Sequence, residues 1–87
     1  MATAETERNL VARWIEPNPH RPGVEDAILV GYGVSVWALI GYLSMVENDI
    51  ARVAADYELP LEAVEAALGY YQEHQSAIDA RLAANLA

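Results

Sequence analysis

Apolar residues recur at helical spacing along most of this chain, and a few polar or proline-rich interruptions divide it into elements. Leu10 and Trp14 lie four residues apart, as do Val11 and Ile15, which predicts an amphipathic helix over residues 5–16. The run from Leu10 to Ile15 is also short enough to be extended. Pro17-Asn18-Pro19-His20-Arg21-Pro22-Gly23 excludes helix and central strand, because proline fixes φ and has no amide to donate. It predicts a loop that sets residues 1–23 apart as an N-terminal arm from a main body over residues 24–87. Within that body Ala27 to Val30 reads as a short strand, Gly31-Tyr32-Gly33 as a turn, and Val34 as the return strand. Ser35 stands where its hydroxyl can cap the next helix. That helix, Val36 to Val46, is apolar all round, a pattern that requires cover on every side. So small a domain has little to cover two faces, so this helix is expected to lie partly in a subunit or partner interface.

Asn48 or Asp49 caps a third helix that runs to about Tyr57, and Glu58-Leu59-Pro60 ends it. From Leu61 to Leu86 no strong stop appears, and a continuous helix of that length would reach about 39 Å and project from the domain. Leu61, Val64, Leu68, Tyr71, Gln75, Ile78 and Leu82 are spaced 3, 4, 3, 4, 3, 4, the seam of a coiled coil or of a helix laid in a groove. A break near His74 to Ser76 is the alternative, since Ser76 and Asp79 resemble a weak capping box. Asp49 to Ala67 reads as a helix-turn-helix: Val53, Ala54 and Tyr57 line the first helix, Leu59 plugs the turn, and Val64 and Ala67 line the second. The expected fold is therefore mainly α: a small helix-turn-helix domain with a short N-terminal β-strand pair and a long C-terminal helix.

Length and charge narrow the function classes. The chain has 87 residues, a 54% apolar fraction and no cysteine. That is one domain, with no disulfide or cysteine-based metal site to supplement a small core. A second subunit is a plausible supplement, and a homodimer is expected. Residues 1–23 balance Arg8, Arg13 and Arg21 against three glutamates, so residues 24–87 carry the whole net charge of -8. Such a surface repels nucleic acid and anionic lipid and suits a basic protein partner. The outward positions of the second helix of the helix-turn-helix are Leu61, Glu62, Ala63, Glu65 and Ala66, none of which reads a base edge bidentately. Nucleic acid contact is left to an arm carrying Arg8, Arg13 and Arg21. Ala27 to Val46 is a stretch of 20 uncharged residues, but glycines interrupt it and both flanks are acidic, so no membrane span is expected. Residues 1–13 are mixed in charge rather than basic then apolar, so a cytoplasmic location is expected.

No constellation points to catalysis. His20 and His74 have no second ligand at metal spacing. Ser35, Ser44 and Ser76 lack the context of a nucleophile elbow, and Gly31-x-Gly33 is not a phosphate loop. The expectation is a binding protein, not an enzyme, with no cofactor and no metal. Trp14, Trp37, Ile40, Leu43, Tyr70, Tyr71, Ile78 and Leu82 are the candidates for a partner or dimer interface, because large apolar and aromatic side chains dominate such contacts.

Part of the chain resembles a known family. Ile28-Leu29-Val30-Gly31-Tyr32-Gly33-Val34-Ser35-Val36-Trp37, then Asp56-Tyr57 with Leu59 to Leu68, then Tyr70-Tyr71, His74 and Ile78-Asp79-Ala80 resemble small bacterial proteins of the domain of unknown function 433 family. The resemblance covers about residues 24–82. It implies a VapB-like antitoxin of a type II toxin–antitoxin pair, which holds a cognate PIN-like ribonuclease inactive. Many family members carry a basic residue in the strand pair where this chain has Val30 and Tyr32. The implied role is therefore toxin binding rather than operator binding. DNA-binding transcription regulation and simple homodimerisation are the alternative functions.

Overall fold

The computed structural model describes residues 3–86, with side chains from Arg8 onward. Helix α1 (Thr3–Trp14) runs directly into strand β1 (Ile15–Glu16). The proline loop follows, held by the Asn18 carboxamide oxygen, which accepts from the His20 amide at 2.9 Å. A short 3₁₀ turn (Val24–Asp26) leads into β2 (Ile28–Leu29), and four helices complete the chain: α2 (Val36–Met45), α3 (Ile50–Tyr57), α4 (Leu61–Glu73) and α5 (Gln75–Leu86).

The sheet is antiparallel and two-stranded, but its strands are not the pair the sequence suggested. β2 pairs with β1, Ile15 opposite Leu29 and Glu16 opposite Ile28. The Val34 side returns only one bridge, Ile28 to Ser35, with the Leu29 amide donating to the Val34 carbonyl at 2.8 Å. Gly31 and Gly33 adopt φ of 82° and 69°, so the chain turns tightly enough to enter α2 without room for a second full strand. The Val30 amide donates instead to the Trp14 carbonyl at 2.7 Å. Residues 1–23 are accordingly no detached arm where they are described: Val11, Trp14 and Ile15 pack against the common core.

α4 is the central helix. α1, α2 and α3 all lie against it, and Ala63, Val64, Ala66, Ala67, Gly69 and Tyr70 are buried on its several faces. Alanine and glycine at four of those positions let three neighbours approach closely. α3 and α4 form the expected helix-turn-helix. Val53, Ala54, Leu59, Val64 and Ala67 belong to the buried core, with Tyr57 packed at its edge. The Asp49 carboxylate accepts from the Arg52 amide at 3.1 Å and caps α3. At its other end Glu58 turns left-handed (φ 56°), which swings Leu59 inward. Ser35 occupies the N-cap position of α2 in extended conformation, but its side chain makes no capping bond, contrary to expectation.

The C-terminal segment is not one long helix. His74 leaves helical geometry (φ -129°, ψ 36°) and separates α4 from α5. The reason is burial: a straight helix would hold Ile78 and Leu82 out in water. Bending at His74 lays α5 against α2 and the 3₁₀ turn and brings Ile78 to 0% exposure.

Candidate protein-binding groove

α2 and α5 lean together but do not close. Between them lies an open groove of about 450 Å³, walled by Trp37, Gly41, Tyr42 and Met45 on one side and Leu82 and Leu86 on the other, with Tyr57 at one end. The walls approach at Gly41, where a side-chain carbon would sit 3.1 Å from a Leu82 methyl. α2 supplies this surface because it is apolar all round. Its inner face, Val36, Leu39, Ile40 and Leu43, is buried against the core. Its outer face is only partly covered by α5, which leaves Met45 77% and Leu86 87% exposed. None of the described residues lining the groove is charged.

Two polar networks hold the walls. At one, Asp26 is 6% exposed and accepts from Arg81 Nε at 3.1 Å, with Arg21 Nε at 3.5 Å. The Arg81 guanidinium also lies 4.4 Å above the centre of the Trp37 ring. One arginine thus joins α5 to the 3₁₀ turn and to α2. At the other, the Tyr42 hydroxyl donates to the Asp56 carboxylate, which also accepts from Arg52 Nε at 3.1 Å. The hydrogen bond from Tyr42, and then the one from Arg52, hold the Asp56 carboxyl below its ordinary 3.8. The same carboxylate raises the Tyr42 phenol, chiefly by that hydrogen bond. Tyr42 and Tyr57 meet edge to face at 5.5 Å.

The sequence candidates fall into three groups. Trp37 and Leu82 line the groove. Ile40, Leu43, Tyr70 and Ile78 are built into the domain's own core, and the Tyr70 hydroxyl donates to the Val24 carbonyl at 2.7 Å. Burial is the main reason that phenol is raised. Trp14 and Tyr71 are half-buried: Trp14 lies beside Tyr32 with its Nε1 buried and without a hydrogen-bond partner among the described residues, and the Tyr71 hydroxyl donates to Asp79 at 2.8 Å. Tyr42, Met45 and Leu86 were not singled out from the sequence, and Tyr57 was read only as part of the helix-turn-helix. Met45 and Leu86 do carry a signal, as large apolar residues at the solvent ends of their helices.

The arginines proposed for DNA contact are dispersed. Arg8 and Arg13 are exposed on α1, with Arg13 5.6 Å from the Trp14 ring, and Arg21 is engaged by Asp26. α4, the second helix of the helix-turn-helix, lies beneath α1 and exposes Leu61, Glu62 and Glu65 at its start. Among the described residues no helix is long and apolar enough to cross a membrane, and no group of three or more His, Cys, Asp or Glu side chains converges. Comparison with known proteins found no matching family model, no matching curated protein and no matching solved structure.

Proposed function

We propose that this chain is an antitoxin-like binding protein that docks a PIN-like ribonuclease on the groove between α2 and α5 and holds it inactive. The observation that carries the reading is the groove itself: an uncharged apolar channel with Met45 and Leu86 standing in solvent, on a chain of net charge -8. Exposed apolar surface of this kind costs solubility unless something covers it, and methionine adapts readily to a partner's shape. The acidic balance supports a partner that is itself basic, as a protein that binds RNA phosphates must be, and steers such a pair together. The identity of that partner rests on the family resemblance of residues 24–82, which also suggests a cytoplasmic bacterial protein.

The test is to mix the purified chain with the product of the adjacent gene, follow complex mass by light scattering, and assay ribonuclease activity. Inhibition by the wild type should fall at least about tenfold in the double variant Met45→Glu, Leu86→Glu, with helicity unchanged because both side chains are exposed. Equal inhibition by the variant would exclude the groove, and a wild type that forms no complex would exclude the antitoxin reading. A regulator binding DNA finds support only in exposed Arg8 and Arg13. It requires a salt-sensitive gel shift that an Arg8→Ala, Arg13→Ala variant loses.

A further inference from the structure

We infer that α5 is an exchangeable arm: in a dimer, α4 and α5 straighten into one helix through His74, and each α5 docks on α2 and the 3₁₀ turn of a second copy. The partner copy then supplies Leu82 and Leu86 to the groove.

Three observations converge on this. The connection is minimal. The His74 amide still donates to Tyr70 at 3.0 Å and its carbonyl accepts from Ile78 at 3.0 Å, so helical bonding abuts on both sides of one departed residue. Straightening requires only the φ and ψ of His74 to move from -129° and 36° to helical values. The apolar spacing is continuous across the bend: Leu61, Val64, Leu68, Tyr71, Gln75, Ile78 and Leu82 keep a 3, 4 repeat through it. A straight helix therefore meets no break in its pattern at His74. Finally, α5 is anchored to segments that precede α4. Arg81 meets Asp26 and Trp37, and Leu82 meets Gly41. None of these contacts depends on which copy provides α5, so exchange keeps them all. A short connector is the usual setting for such swapping.

The experiment uses the chain alone, so it succeeds or fails independently of any toxin. Light scattering over a concentration series should show a monomer–dimer equilibrium. Ser76→Pro is tolerated in the first turn of a separate α5 but cannot continue a straight helix, so it should weaken the dimer at least about tenfold. His74→Ala, which favours helix at the bend, should strengthen it. Because the chain has no cysteine, Gly41→Cys with Leu82→Cys reports the path of α5 directly. Oxidation of the dimer should yield a covalent dimer on a non-reducing gel. A wild type that stays monomeric, a dimer indifferent to Ser76→Pro, or a cross-link found only within single chains would overturn the inference.

Discussion

Asp26→Asn is the sharpest probe of how α5 is held. The substitution keeps the side chain's shape and removes its charge at a site where the Asp26 side chain is 8% exposed and the Arg81 side chain 20%. Removing one partner of a buried pair costs about 3–5 kcal/mol, and a charge-assisted hydrogen bond contributes about 1.5–3 kcal/mol. Arg81 keeps its place over the Trp37 ring, and Arg21 at 64% exposure loses little. We therefore expect a loss of about 2–3 kcal/mol, a large share of what holds a domain of this size folded. In thermal unfolding followed by circular dichroism this appears as a fall in Tm of about 10–20 °C. Urea titration should show a lower midpoint, and moderate salt should change the wild-type value little, since a buried pair is weakly screened. The double cycle with Arg81→Met should return a coupling of at least about 1 kcal/mol. A loss below about 0.5 kcal/mol, or no coupling, would refute the claim that this ion pair fastens α5.

Other substitutions test separate parts of the fold. Ile78→Ala empties a side chain that is 0% exposed and should cost about 2–4 kcal/mol in urea unfolding. Asp49→Ala removes the cap of α3 and should cost about 1 kcal/mol in the same assay. Asp56 has a folded-state pKa below its ordinary 3.8. Its contribution to stability is therefore present above the unfolded value and lost as pH falls through the lowered folded one. Asp56→Asn should flatten the acid limb of the midpoint-versus-pH curve, and should bring the raised Tyr42 phenol back toward 10.0, read by NMR.

The helix-turn-helix was legible because everything that specifies it is local. Asp49, Val53, Ala54, Leu59 and Val64 lie within 16 residues of one another in sequence, and periodicity with one cap and one turn fixes them. The sheet was half legible: Ile28 and Leu29 read as a strand, but their partner Ile15 stands beyond the proline loop, and a return by Val34 was the nearer pairing. The 3, 4 repeat over α4 and α5 fits a straight and a bent path equally well, and tertiary burial of Ile78 decides it. Of the groove, Trp37 and Leu82 were foreseeable as large apolar residues. Tyr42 and Tyr57 were not, because they join this surface only after α5 folds back. Asp26 gave no warning either: Arg81, which pairs with it, is 55 residues away.

That separation has a bearing on the order in which the molecule assembles. α2, α3 and α4 can collapse early through contacts close in sequence, whereas the 3₁₀ turn holding Asp26 must wait for α5, which is synthesised after all of them. Until Arg81 arrives, Asp26 has only the exposed Arg21 as a charged partner, so burying that carboxylate is costly. Closure of α5 thus completes the burial of Asp26 and of Ile78 in one step. Before it, the apolar faces of α2 and α5 are both uncovered, and this is the interval in which a nascent chain is most open to a neighbour.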